Sequence, residues 1–132
     1  MVGNTHGIVN LRLVHNLPFV SVEVSANNRS VSLHNVIIDT GSAGSIFSAD
    51  KMLDLGLVCS GSDELYIISG VGGEEYVFSK TVASVRIGHL VVNDFKIEVG
   101  AMDYGFEFDG IIGMSFLLAT KAKLDCEHLT LS

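Results

Sequence analysis

The chain has 132 residues, 48% of them hydrophobic and 17% charged, which is enough apolar material for one core and too little length for two lobes. Its formal charge of −7, with 8 Lys and Arg spread along the chain, provides no basic stripe for phosphates and argues against nucleic acid and acidic membranes as partners. No apolar run reaches the length of a membrane span, and MVGNTHGIVNLRL has no leader pattern, so one domain over residues 1–132, cytoplasmic by default and without membrane contact, is expected.

Val20, Val22 and Val24 alternate with polar residues, a polar turn spans Ala26 to Arg29, and Val31 and Leu33 alternate again, which predicts a hairpin. NVII then runs as a buried strand into Asp39 and a stretch of small residues, Thr40-Gly41-Ser42-Ala43-Gly44-Ser45. Ser48 is placed to cap a short helix over ADKMLDL, with Met52, Leu53 and Leu55 on or near one face and Gly56 at its C-terminal end. A second hairpin, ELYIISGVGGEEYVFSKTV, carries three glycines within four residues at its tip, a composition that bends readily and allows close approach. ASVRIGHLVVNDFKIEV predicts two more strands around Gly88-His89. DGIIGMSFLLATK passes from a buried strand into a turn of helix, and Leu124, Leu129 and Leu131 close the chain with an alternating pattern. Many short strands with glycine-rich turns indicate an all-β barrel or sandwich.

Cys59 and Cys126 form neither a CxxC pair nor a metal-ligand pair and are read as two separate reduced thiols, with a single disulfide left open. His6, His15, His34, His89 and His128 fall at no zinc-binding spacing, so no metal and no cofactor are expected. GSAGS lacks the lysine of a phosphate loop, and no G-x-S-x-G is present to form a serine nucleophile elbow.

The order of features is more informative than any one of them: Asp39-Thr40-Gly41 at the end of an apolar strand, then Ser42, then the glycine-tipped hairpin, then GIIGMSFL. This arrangement resembles the retropepsin-type, single-lobe aspartic proteases from about Pro18 to the C-terminus. It is closer to bacterial and cellular members than to viral ones. The resemblance implies a closed acid-protease-like β-barrel lobe with one or two short helices, forming a twofold homodimer that cleaves an extended peptide or protein substrate. It implies Asp39 as the catalytic aspartate, with Thr40 and Gly41 completing the triplet and Thr40 bracing the opposite loop. It further implies ISGVGG, including Ser69, Gly70, Val71, Gly72 and Gly73, as a flap over the substrate. GIIG, with Ile111 and Ile112, becomes the strand crossing behind the catalytic loop.

The chemistry requires the dimer. Carboxylate-catalysed peptide hydrolysis uses two carboxylates about 3 Å apart sharing one proton. A one-lobe chain with one such aspartate obtains the second only from an identical copy across a twofold axis. Ser42 offers the carboxylate a hydroxyl that favours its charged form, predicting an acidic activity optimum. Val71, Ile111 and Ile112 suggest an apolar lining and hydrophobic residues flanking the cleaved bond. Viral members pair an aspartate after the triplet with an arginine after the apolar-apolar-Gly motif; here those positions hold Ala43 and Met114. The alternative function is a catalytically silent dimerisation or peptide-binding module of the same fold. Local alternatives are an aspartate that only caps a turn at Asp39, a turn-stabilising Asp109, and solvated surface charges at Glu74, Glu75, Asp103 and Glu107.

Overall fold

The computed structural model describes residues 7–70, 73–102 and 108–132. In chain order the strands are β1 (Val9–Asn10), β2 (Arg12–Val14), β3 (Leu17–Ala26), β4 (Arg29–Ile38) and β5 (Ile46–Ser48), then helix α1 (Ala49–Met52) with a 3-10 turn over Leu53–Leu55. They continue as β6 (Leu65–Gly70), β7 (Gly73–Ile87), β8 (Leu90–Gly100), β9 (Gly110–Ile112), helix α2 (Met114–Thr120), β10 (Leu124–Asp125) and β11 (Thr130–Leu131). The chain is mostly β, as its alternating pattern predicts.

The first hairpin turns at Asn27 and Asn28, both with positive φ (54° and 62°), the left-handed pair that matches strand twist and that asparagine tolerates. Asn27 also donates its side-chain amide to the Leu55 carbonyl (2.7 Å), tying this turn to the end of the 3-10 segment. Gly56 closes that segment at φ 73°, as expected of a C-terminal glycine. Ser48 precedes α1 without making a side-chain cap bond, because it is still the last residue of a buried strand. Met52 and Leu55 are fully buried, but Leu53 is exposed, since the tighter 3-10 geometry swings it off their face.

β7 departs from the expected series of short strands. Its 15 residues form one strand that serves two hairpins, pairing with β6 through Gly73–Phe78 and with β8 from Val77 to Ile87. The main sheet runs β2-β3-β4-β9-β5-β8-β7-β6, and β3 also pairs with β7, Glu23–Ser25 against Arg86–Ser84. The barrel is therefore closed over three residue pairs at one end only. At the other end the same edges of β3 and β7 diverge to hold β2 and β6 instead, so the closed barrel lobe implied by the resemblance is corrected to an unevenly closed one.

Two apolar clusters follow from this shape. The main core fills the closed end, with Val22, Val24, Leu33, Phe47, Ile97, Ile112 and Phe116 almost wholly buried. Phe95 meets Phe116 edge to face at 6.0 Å. A second cluster, Phe19, Ile37, Ile46, Val77, Met102 and Phe108, lies at the open end, with Tyr66, Ile68 and Ile111 packed against it. A separate small sheet, β1-β11-β10, closes the chain; of the three C-terminal leucines only Leu131 is buried, because Leu124 and Leu129 face outward around a turn.

Candidate active site

β4 delivers Asp39 to the open end of the barrel. Val36, Ile37 and Ile38 are buried and pair in parallel with Gly110, Ile111 and Ile112 of β9. β5 lies on the opposite side of β9, antiparallel to it. The loop from Asp39 to Ser45 must therefore pass over the end of β9 to get from one neighbour to the other. That crossing explains the glycines of GIIG: a Cβ at Gly113 would strike the backbone carbonyls of Gly44 and Ser42, and one at Gly110 would meet the Phe47 ring at 2.6 Å and the Ile46 carbonyl at 2.9 Å.

The loop is stitched down at every level. The Asp39 amide donates to the Ile112 carbonyl (2.9 Å), and the amides of Met114 and Ser115 donate to the carbonyls of Ser42 (2.7 Å) and Ala43 (2.8 Å). Two N–H groups at the start of α2, which have no partner within the helix, are thus satisfied by the loop. Ser45 is fully buried; its hydroxyl oxygen accepts the Gly113 amide at 3.1 Å and lies 3.5 Å from the Ser115 hydroxyl. This serine and the backbone bonds brace the loop against β9 and α2. Ser45 was not singled out from sequence; its only signal there is a hydroxyl entering an apolar strand.

Asp39 itself is exposed, with Thr40 and Gly41 beside it. Its Oδ1 accepts the Gly41 amide (2.9 Å), and its carbonyl accepts the Ser42 amide (3.1 Å), so the carboxylate is held in one orientation by its own turn. The Ser42 hydroxyl donates to the Gly44 carbonyl (3.0 Å), which uses its one proton within the loop. The expected donation from Ser42 to the Asp39 carboxylate is thereby corrected.

The hairpin of β6 and β7 packs its Tyr66 and Ile68 onto the second cluster, on the side of Ile46 and Ile111. Ser69 pairs with Glu74 and Gly70 with Gly73 at its outer end; Val71 and Gly72 lie outside the described residues. Ile111 faces this cluster, but Ile112 points to the opposite side and is fully buried in the main core, so its expected place in a substrate lining is corrected. Adjacent residues of a strand face opposite ways, so one β9 face cannot present both.

Asp109, expected to stabilise a turn, and Glu75, expected as a solvated surface charge, are both built into the structure. Asp109 is buried; it accepts the Asn35 amide through Oδ2 (3.2 Å) while exchanging a backbone bond with the same residue (2.7 Å), clamping β4 to the start of β9. Glu75 accepts the Met102 amide (2.6 Å) and lies against Gly100, so it is not a simple solvated charge. Asp103 and Glu107 lie outside the described residues. Glu98, also not foreseen, sits half-buried at the junction of loop and hairpin, its Oε1 against Gly44. Burial raises its proton affinity, while a Tyr66 hydrogen bond and the charge of Lys96 act in the opposite direction.

Cys59 and Cys126 are exposed free thiols. His128 comes together with Asp125 and Glu127, their ligand atoms within 4.8 Å of one another on the surface. That grouping is accounted for by a turn: Asp125 Oδ1 accepts the amides of Glu127 and His128, and its Oδ2 lies 2.9 Å from His128 Nδ1. Among the described residues no helix is long and apolar enough to cross a membrane.

Comparison with known proteins agrees with this geometry. Residues 20–116 match a family described as aspartyl protease. Among solved structures, a retropepsin-like aspartic protease from Rickettsia conorii superposes with a TM-score of 0.67 at 22% identity, covering 95% of this chain and 96% of that one. No curated protein matches the sequence.

Proposed function

The chain belongs to the aspartyl protease family and has a retropepsin-like fold, and from that premise we propose that it is an aspartic endopeptidase acting as a homodimer. The observation that carries the proposal is the state of Asp39: an exposed carboxylate at the end of a buried strand, oriented by the Gly41 amide, on a loop fastened to β9 and α2. A carboxylate that only closed a turn would not need a backbone stitched this densely.

Thr40 and Gly41 are exposed and small enough for a second copy of the loop to approach. Asp39 and Asp39 of the partner subunit then share one proton, because two carboxylates about 3 Å apart do not both ionise. The charged member removes a proton from water as its oxygen attacks the peptide carbonyl, and the protonated member gives its proton to the carbonyl oxygen. Collapse of the tetrahedral adduct breaks the C–N bond, with a proton passing to the departing amine. The substrate would lie as an added strand between the β6–β7 hairpin and the Asp39 loop, held mainly by backbone hydrogen bonds. Ser69, Gly70, Val71, Gly72 and Gly73 form the covering tip in this reading, and Ile111 lines the floor.

The test is cleavage of a diverse peptide library by wild type and Asp39→Asn at about pH 4 to 7, over a range of protein concentrations. Specific activity that rises with enzyme concentration and vanishes in the variant is the expected result. A dimer that binds peptides and leaves them intact would instead identify a peptide-binding module.

A further inference from the structure

We propose that Glu98 determines specificity at the proposed active site, its carboxylate forming a subsite for a lysine or arginine side chain of an extended peptide substrate. The inference rests on the protease reading for the placement of the substrate, and on the following geometry for its chemistry.

Glu98 stands on β8 opposite Ile46 of β5 and Ser79 of β7, with its neighbours Ile97 and Val99 turned into the main core. It therefore projects to the other side of the sheet, where its Oε1 lies against Gly44 of the Asp39 loop. Nothing larger than glycine fits at Gly44 without displacing that carboxylate. On the hairpin side, the Tyr66 hydroxyl bonds to the Ser79 hydroxyl (3.2 Å) and reaches the Glu98 carboxylate. One acidic group is thus held between the loop that carries Asp39 and the strand that leads to the hairpin tip, the two elements between which the substrate is proposed to lie.

Glu98 forms no ion pair among the described residues, although the charge of Lys96 acts on it. Among the described residues the ion pairs are Lys80–Asp63, Arg86–Glu23 and His128–Asp125, and none involves Glu98. The titratable groups around it are Lys96 two residues back on its own strand, which is exposed, Tyr66 on β6, and Glu75 on β7 beside Gly100 further along the strand; β5 sets Ile46 opposite it. A half-buried carboxylate among Ile46, Tyr66 and Gly44 is costly to ionise, and an arriving ammonium or guanidinium offsets that cost where water cannot fully do so. A neutral side chain does not. Selectivity for a basic residue is accordingly expected to strengthen as pH rises and Glu98 loses its proton.

The experiment uses paired extended peptides, identical except for one position flanking the scissile bond, which carries Lys, Arg, Gln or norleucine. The ratio of kcat/KM, basic over neutral, is measured across pH for wild type, Glu98→Gln and Glu98→Asp; taking the ratio cancels the titration of the catalytic pair. At one flanking position the wild-type ratio should be about tenfold at neutral pH, the scale of one charge-assisted hydrogen bond in a partly screened site. It should fall as pH falls, approach one in Glu98→Gln, and be partly retained in Glu98→Asp. Binding of the same peptides to Asp39→Asn, followed by fluorescence anisotropy, separates this inference from the protease reading. Peptides that bind with a Glu98-dependent basic preference but are never cut by wild type would overturn catalysis and leave the subsite standing. Cleavage with no basic preference at any position, or one that survives in Glu98→Gln, would overturn the subsite and leave catalysis standing. Absence of both binding and cleavage would overturn both.

Discussion

Replacing Ser45 by alanine removes the only acceptor shown for the Gly113 amide, at a point where water cannot take its place. Ser45 is fully buried, and the backbone carbonyls of Ser42 and Gly44 cover Gly113 so closely that not even a Cβ would fit. The amide is left buried and unpaired, which costs about 1–3 kcal/mol; the contact with Ser115 at 3.5 Å is at the limit of a hydrogen bond and adds little. A loss of about 2 kcal/mol corresponds to a drop in Tm of roughly 8 °C for a domain of this size. Urea unfolding of wild type and Ser45→Ala at equal protein concentration checks this, with the midpoint shifted and the slope unchanged. Ser42→Ala is the internal control: its hydroxyl donates to a carbonyl on a partly exposed loop, so the loss should be nearer about 0.5–1 kcal/mol. A cost for Ser45→Ala of under about 0.5 kcal/mol, or one no larger than that of Ser42→Ala, would refute the argument that this serine fastens the loop.

Gly113→Ala should be worse than any hydroxyl deletion, because its Cβ meets two backbone carbonyls that cannot rotate away; a loss of more than about 3 kcal/mol or failure to fold is expected, read from soluble yield and chemical denaturation. Asp39→Asn should abolish peptide cleavage while leaving Tm within about 2 °C of wild type, since the side chain is exposed and an amide oxygen can still accept the Gly41 N–H. Glu98 predicts a pH dependence of stability. Its folded-state proton affinity is raised, chiefly by burial, so the folded protein holds that proton to higher pH than the unfolded chain does. The resulting contribution is fully present below the ordinary glutamate range and is lost as pH rises through the raised value. Melting temperatures of wild type relative to Glu98→Gln should therefore decline over that interval, and a relative rise would contradict the assigned burial.

The amino-acid sequence by itself determined the local elements and the chemistry of the triplet. Alternation at Val20, Val22 and Val24, the Asn27-Asn28 turn and the Gly88 turn are set by side-chain period and by backbone angles, both properties of neighbouring residues. The apolar run into Asp39 and the two glycines of GIIG were legible for the same reason, although the cause of Gly113 was not: the atoms that exclude a Cβ belong to Ser42 and Gly44, about 70 residues away in the chain. Only the tertiary structure decided that one long β7 serves two hairpins, that the barrel closes through Glu23–Ser25 alone, and that Ile111 and Ile112 part company between two apolar clusters. The same holds for Ser45, Asp109 and Glu98. Each is a common polar residue whose meaning comes from what long-range pairing places against it, and hydrogen-bond partners brought together by sheet register leave no mark in the sequence around either one.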